Sequence, residues 1–110
     1  MKAPFEELAT LDRLIHEPAR LALLTALTSC ESADFLYLQR LTGLSKGNLS
    51  SHLSKLEEVD FVTVEKQFKG KTPLTRIAVT DKGREAVEQH WRQLEQLRSK
   101  AKRWVPRGTE

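Results

Sequence analysis

The residues best suited to chemistry lie in one stretch, residues 45–58, where short polar side chains recur between leucines. At 100° per residue, a helix here would carry its leucines on one face and small, mostly uncharged residues on the other. On that second face, Asn48 could bond an adenine edge in a bidentate way, and the serines could donate to base edges or phosphates. The predicted chemistry is therefore hydrogen bonding to nucleic acid. The candidate residues are Ser45, Lys46, Gly47, Asn48, Ser50, Ser51, Ser54 and Lys55.

A helix-turn-helix would position this face. Gly43 suits the C-terminus of a short first helix, and Ser45 suits the N-cap of the second. Leu49, Leu53 and Leu56 then form one helical face. In this motif the second helix enters the DNA major groove, and the first crosses the backbone. Three side chains of the first helix could therefore reach phosphates or, equally well, form a solvent-facing edge: Tyr37, Gln39 and Arg40.

A β-hairpin is predicted after the second helix. Residues 61–64 are β-branched or aromatic, residues 74–79 form a second strand signal, and residues 69–73 between them are basic and rich in turn formers. Such a hairpin beside a helix-turn-helix is a wing, which would lie on the phosphate backbone or in the minor groove. The alternative is a solubilising edge hairpin. The candidate DNA contacts are Lys66, Lys69, Lys71, Thr72 and Arg76.

The stretch LSKGNLSSHLSKLEEVDFV resembles the recognition helix of winged-helix transcriptional regulators of the ArsR and MarR type, and the resemblance extends over residues 18–82. It departs at Val59-Asp60, where Ala-Gly is usual, although Asp tolerates a left-handed conformation. The resemblance implies a mainly α fold with a small β-hairpin (α+β), a winged helix-turn-helix. Metal-sensing members carry Cys-x-Cys on the first motif helix, where this chain has residues 35–38, FLYL, so metal sensing there is not expected.

Long terminal helices are predicted on both sides of a winged-helix core at 17–82, all within one domain over residues 1–110. An apolar stripe runs through residues 4–16, and a heptad seam runs through residues 80–105. These faces could cover this chain's own core or a second chain, and the regulators it resembles dimerise through such helices. The predicted dimer residues are Leu8, Leu11, Ile15, Val87, His90, Trp91, Leu94, Leu97, Ala101 and Trp104.

Composition excludes several classes of protein. The 110 residues are 39% hydrophobic and 30% charged, typical of a globular domain. No apolar run approaches the ~20 residues of a membrane span, and the N-terminus is not a signal peptide, so we expect a cytoplasmic protein without membrane partners. Cys30 is the one cysteine, and the three histidines are scattered. No nucleophile–base–acid set, phosphate loop or metal spacing is present, which argues against an enzyme and against a cofactor.

The distribution of charge favours nucleic acid as the partner. Residues 35–56 hold three basic and no acidic side chains, and residues 66–76 hold four basic and none acidic. Because the whole chain is only +3, the remainder is net negative. We therefore expect a homodimeric, sequence-specific regulator, by resemblance a repressor, bound to double-stranded DNA. The alternative is a winged helix used for protein–protein interaction. A small apolar effector could sit between the terminal and central helices, but no residue pattern demands one.

Overall fold

The computed structural model of the chain describes residue 6 and residues 11–103. Four helices and a three-stranded antiparallel sheet follow one another within these residues, which confirms the predicted winged helix-turn-helix of the α+β class. In chain order, the elements are α1 (Pro18–Leu27), β1 (Ala33–Asp34), α2 (Phe35–Thr42), α3 (Lys46–Glu58), β2 (Val62–Lys69), β3 (Thr72–Val79) and α4 (Asp81–Arg103).

The start of α1 is set by Glu17 and Pro18. The Glu17 carboxylate accepts hydrogen bonds from the backbone N–H of Ala19 (3.2 Å) and of Arg20 (2.9 Å), and so caps two donors that have no partner within the helix. Proline fits the first turn because its missing N–H is not needed there. The Glu-Pro pair therefore fixes where the helix begins.

The predicted first helix does not reach His16. The Asp12 side chain accepts a hydrogen bond from the Leu14 backbone N–H at 2.9 Å, a local turn that competes with helix formation. Pro18 also keeps Glu17 extended, at φ −137° and ψ 128°. Residues 13–17 consequently form turns and bends, and the part of the predicted helix before Leu11, except Glu6, lies outside the described residues.

The helix-turn-helix is capped as its sequence predicts. Asp34 accepts a hydrogen bond from the Tyr37 backbone N–H at 2.7 Å and so starts α2. Gly43 ends that helix with φ 71°, a left-handed conformation that glycine adopts at low cost. Ser45 then accepts from the Asn48 backbone N–H at 3.1 Å and starts α3. Only three residues separate the helices, so their relative orientation is tightly constrained.

The sheet has the strand order β1-β3-β2, with β2 at an edge. Strands β2 and β3 stay paired from Val62↔Val79 to Lys69↔Thr72, so both strands are longer than predicted and only Gly70 and Lys71 remain as the turn. Gly70 has φ 65° at the first central position, as type II′ hairpin turns require. Strand β1 has only two residues, too few to give a strand signal in the sequence. It pairs with the other side of β3.

One hydrophobic core lies between the helices and one face of the sheet. Leucines of α1, α2 and α3 meet β2, β3 and the start of α4 there. The large side chains that are fully buried are Leu23, Leu24, Leu27, Leu38, Leu49, Leu56, Val62, Ile77 and Val87. Burial of this kind stabilises by about 1.5–3 kcal/mol per side chain, so α3 is held mainly by its leucine face.

A tight junction joins α3, β2 and α4. Asp60 leaves α3 with φ 63°, the left-handed conformation that its short polar side chain tolerates. Thr80 donates to the Asp60 carbonyl at 2.6 Å and accepts from the Gly83 backbone N–H at 2.9 Å, as an N-cap does. Gly83 lies so close to Phe61 that a side chain there would overlap the Phe61 carbonyl. No helix within the described residues is long and apolar enough to cross a membrane.

Candidate nucleic-acid interface

The candidate interface begins with the outward face of α3. Leu49, Leu53 and Leu56 are buried against the core, which leaves the opposite side of the helix in solvent. All eight residues that the sequence proposed for this surface are exposed: Ser45, Lys46, Gly47, Asn48, Ser50, Ser51, Ser54 and Lys55. Gly47 has nothing within 4 Å of the position that a Cβ would take, so this face offers a low, open surface to a ligand.

A buried polar network holds the inner side of α3. Arg20 donates from its Nε to the Leu14 carbonyl at 2.6 Å, and its NH1 lies 3.1 Å from His52 Nδ1. Because a guanidinium can only donate, His52 Nδ1 is the acceptor and the His52 proton sits on Nε2. Glu17 Oε2 lies 3.5 Å from the same Nδ1. His52 is half-buried, and its contact with Arg20 supports α3 from the inner side.

The Glu17 carboxylate is held in its charged form. Burial raises its pKa, but the backbone hydrogen bonds from Arg20 and Ala19, together with the positive charge of Arg20, lower the pKa by more, so the net shift is downward. Arg20 was not among the residues to which the sequence assigned a role. An arginine within an otherwise apolar helix is the signal that could have pointed to this network.

The wing carries two different faces. Side chains alternate along a strand, so Lys66 and Phe68 share the face of Val62 and Val64, which is turned toward the core and α3. Lys69 lies on the opposite face, with Gln67. From Lys66 to the turn, every residue of β2 is exposed. The predicted wing lysines therefore belong to different sides of the hairpin rather than to one row.

A groove of about 700 Å³ joins the recognition helix to the wing. It brings together residues that are far apart in sequence but belong to both candidate sets: Lys46, Ser50, Ser54, Lys66 and Thr72. Its floor is apolar, from Leu53, Val64 and Leu74, and two acidic residues, Asp34 and Glu57, also line it. The groove is thus a continuous concave surface that offers hydroxyl donors and ammonium groups to an anionic, hydrogen-bonding partner.

Arg76 is used within the chain. Its NH2 lies 2.6 Å from the Ser32 hydroxyl and 3.3 Å from the Ser32 carbonyl, and its Nε lies 3.1 Å from the same hydroxyl. The guanidinium therefore fastens β3 to the segment before β1, and this contact accounts for Arg76 without a nucleic acid. Of the candidates on α2, Tyr37 and Arg40 are exposed and Gln39 is half-buried.

The candidate dimer residues are divided by the fold. Ile15 and Val87 belong to the core of the single chain, which leaves them no surface to give to a second copy. Leu11, His90 and Leu97 are also buried within the chain. The rest of the described candidates keep accessible surface: Trp91, Leu94 and Ala101. Leu8 and Trp104 lie outside the described residues.

Helix α4 is fastened to the rest of the chain by polar contacts. Trp91 is 41% exposed, and its indole N–H donates to the Thr25 hydroxyl at 2.9 Å. His90 Nε2 lies 3.1 Å from His16 Nδ1, which joins α4 to the segment before α1. Burial lowers the pKa of His90, and the neighbouring His16 lowers it further, while Asp12 acts in the opposite direction. His90 is therefore a packed neutral histidine.

The donor sets of the described residues do not assemble a metal site. Within residues 11–103, no group of three or more His, Cys, Asp or Glu side chains is placed to hold a metal ion. Cys30 is half-buried, with its Sγ 3.8 Å from the Leu27 carbonyl at the end of α1. The polar groups that do converge are those of the groove and of the Arg20 network.

Comparison with known proteins identifies the family. The model of the winged helix DNA-binding domain matches residues 19–98. An uncharacterized protein of Methanocaldococcus jannaschii is 36% identical over 86 residues, which cover 77% of this chain and 92% of that protein. The chain therefore belongs to the winged helix DNA-binding domain family.

Solved structures agree with this assignment. A transcriptional regulator homologue from Pyrococcus horikoshii is 26% identical, with a TM-score of 0.79 over 87% of this chain and 94% of that one. A MarR-family transcriptional regulator from Silicibacter pomeroyi shares the fold at 18% identity, with a TM-score of 0.61 over 97% of this chain and 66% of that one. The resemblance to winged-helix transcription regulators is thereby confirmed, and the chain is a DNA-binding regulator by class.

Proposed function

We propose that this chain is a sequence-specific regulator of transcription that binds a pseudo-palindromic operator as a homodimer. Helix α3 enters the major groove, and the wing, residues 66–76, lies on the adjacent backbone or in the minor groove. The observation that carries the proposal is the groove in which Lys46, Ser50 and Ser54 of α3 face Lys66 and Thr72 of the wing. A concave surface that offers hydroxyl groups and two ammonium groups, next to a wing whose tip is basic, suits a phosphate-bearing duplex.

Base selection falls to the first turns of α3. Asn48 is exposed next to the Ser45 cap, where a recognition helix contacts base edges. An amide there can bond adenine in a bidentate way, whereas hydroxyls discriminate poorly. No arginine lies on α3, so strong guanine selection is lacking. Specificity is consequently moderate, and DNA shape supplies part of it.

Homodimerisation would use the outer part of α4. This helix has 23 residues, yet within the described residues the main core includes no α4 residue beyond Val87. Trp91, Leu94 and Ala101 keep accessible surface beyond that point. A second copy could cover them, and it would set two α3 helices about 34–36 Å apart, which is the spacing of successive major grooves. A dimer on an operator would repress by blocking access to the same DNA.

A protein–protein interaction module is the alternative function. Exposed Leu36 and Tyr37 on α2 are the observation that favours it, since apolar surface of this kind can dock a protein partner. The exposed face of α3 holds only small and polar side chains, however, and the wing is basic. These two features favour DNA.

The test is fluorescence anisotropy with duplexes that the wild-type protein selects from a random-sequence pool, over a salt series. We expect the selected duplex to bind at least about a thousandfold more tightly than a scrambled one. The Lys69→Ala/Lys71→Ala variant should bind more weakly, and the slope of log K against log salt should fall by about 1.8, or about 0.9 for each phosphate that is no longer neutralised.

Lys102→Ala provides the matched control, because Lys102 is exposed on α4, away from the groove. It should leave the slope unchanged. Failure of the wild-type protein to enrich any duplex at low salt would refute DNA binding. A protein partner whose binding survives the double wing substitution would then support the alternative. Sedimentation with and without the selected duplex reports the stoichiometry, and one chain per duplex would refute the dimer.

A further inference from the structure

The tip of the wing carries an aromatic side chain that the fold does not use. Phe68 is 73% exposed, more than any other large apolar side chain among the described residues. It stands opposite Pro73 in the β2–β3 ladder, and only the Lys69–Thr72 pair separates it from the turn. Leaving a phenyl ring in water forgoes the roughly 1.5–3 kcal/mol that its burial would provide, so a partner is expected to cover it.

The position of Phe68 relative to the groove indicates which partner. Phe68 lies on the same face of β2 as Val64 and Lys66, which both line the groove with α3. Two residues along a strand span about 6.7 Å, so Phe68 continues this row outward by that distance. A DNA duplex bound in the groove would therefore contact Phe68 directly beyond Lys66.

Charge around the ring favours an anion. Lys66, Lys69 and Lys71 lie within three residues of Phe68, and no acidic residue occurs between Lys66 and Arg76. Pairing the edge of β2 with a second copy would bring ammonium groups against ammonium groups, and lysine at a strand edge opposes such pairing. A polyanion instead would be attracted by the lysines and could cover the ring.

We propose that Phe68 is a specificity-determining wedge, which enters the DNA minor groove beside the major-groove half-site and partly unstacks one base step. This proposal rests on the proposed function. Apolar side chains of minor-groove proteins act in this way, and pyrimidine–purine steps (TA and CA/TG) are the easiest to unstack. The wing thus selects a deformable step at a site that α3 does not touch.

Three variants test the proposal. Phe68→Ala removes the ring, Phe68→Trp restores an aromatic surface, and Gln67→Ala alters the neighbouring exposed residue on the other face of the same strand. Each variant and the wild type selects duplexes from the same random-sequence pool. The wild type, Phe68→Trp and Gln67→Ala should all enrich a pyrimidine–purine step outside the half-site. Phe68→Ala should lose that preference and keep the half-site bases.

Affinity and its salt dependence distinguish the contribution of Phe68 to DNA binding from that of the wing lysines. Phe68→Ala should bind the wild-type duplex about tenfold more weakly, the order expected when one aromatic side chain no longer stacks on a base. Its log K against log salt slope should stay that of the wild type, since no charge changes. A 2-aminopurine placed at the enriched step should brighten when the wild type binds and stay quenched with Phe68→Ala.

Several results would overturn the inference without touching the proposed function. One is that Phe68→Ala binds DNA with the same affinity as the wild type and selects the same sequence. Another is an oligomeric state that Phe68→Ala changes, which would assign the ring to a second copy. A third is that the wild type binds vesicles of anionic phospholipid, and that Phe68→Ala abolishes this binding but leaves DNA binding unchanged. Failure of the wild type to bind DNA would instead refute the proposed function itself. Because Phe68 is exposed, an unchanged unfolding midpoint will show that the variant is folded.

Discussion

The recognition helix and the wing present the same kind of surface but are held in opposite ways. Helix α3 buries Leu49, Leu53 and Leu56, and His52 joins it to Arg20 in a hydrogen-bonded network. The outer half of the wing buries little: from Lys66 to the turn, each β2 side chain is exposed, and on β3 Leu74 and Thr75 are only half-buried. The β2–β3 ladder is the main support of that half.

This difference matches the tasks proposed for the two regions. Hydrogen bonds to base edges depend on a side chain being placed within a few tenths of an ångström, which a helix fixed along its whole length can provide. Contacts with phosphates, and insertion into a groove of variable width, tolerate movement of the hairpin. Substitutions under α3 should therefore change stability, whereas those at the wing tip should change binding alone.

The largest effect is expected under the recognition helix. Leu49→Ala should lower the free energy of unfolding by about 2–5 kcal/mol, because it leaves a cavity beneath α3. DNA affinity should fall with it, since the helix loses its fixed orientation. Urea unfolding measures the first effect and anisotropy the second. Ser51→Ala, on the exposed face of the same helix, is the control and should change stability by less than about 0.5 kcal/mol. A loss below about 1 kcal/mol for Leu49→Ala would show that α3 is not held by its leucines.

An intermediate effect is expected at the junction between the two regions. Gly83→Ala would force a methyl group against the Phe61 carbonyl, at the point where α3 passes into β2. We expect a loss of about 1–3 kcal/mol, as for other overpacked sites, measured by urea unfolding.

Gly47→Ala is the matched control for that change. Gly47 is helical with open space around it, so alanine there should stabilise by up to about 1 kcal/mol through helix propensity. Its new methyl group would face the DNA, and affinity could fall while stability rises. Equal stability effects at Gly83 and Gly47 would contradict the close approach to Phe61.

The smallest effect is expected from pH, which should change the free energy of unfolding through His90 on α4. Burial and the neighbouring His16 lower the pKa of His90 in the folded chain, so below about pH 6.5 the unfolded chain binds more protons than the folded one. Stability from this group is complete above about pH 6.5 and is lost as pH falls toward the folded pKa. The urea midpoint should therefore fall between about pH 7.5 and about pH 5.5.

His90→Gln is the comparison variant for this measurement. Glutamine can still hydrogen-bond to His16 but does not titrate, so its midpoint should depend less on pH. Keeping the pH above about 5 avoids titrating Glu17, whose pKa is lowered from its usual value of 4.5. An identical pH profile for the two proteins would contradict a neutral, buried His90.

Local signals in the sequence predicted the parts of the fold that depend on neighbouring residues. The cap at Ser45, the left-handed exits at Gly43 and Asp60, and the leucine face of α3 all depend on residues within one or two turns. The predicted extent of the strands was too short, because ladder pairing across the hairpin extends β2 and β3 beyond their apolar residues to Lys69 and Thr72.

Contacts between distant residues were beyond such signals. The Arg76 guanidinium bonds to Ser32 across the sheet, 44 residues away, although its place in a basic run suggested a phosphate contact. Strand β1 is two residues long and exists only because β3 pairs with it. The helix expected over residues 4–16 does not include residues 12–16, because the Asp12 side chain and Pro18 compete with helix formation there.

The amino-acid sequence by itself determined the family, the helix-turn-helix and the polar outward face of α3, because periodicity and capping act over a few residues. Tertiary structure alone decided which surface or contact each basic residue of the wing belongs to. It placed Lys66 in the groove, Lys69 on the other face and Arg76 against Ser32, and it left Phe68 in solvent. Strand register and long-range hydrogen bonds set these positions, and neither is encoded by the spacing of residues along one segment.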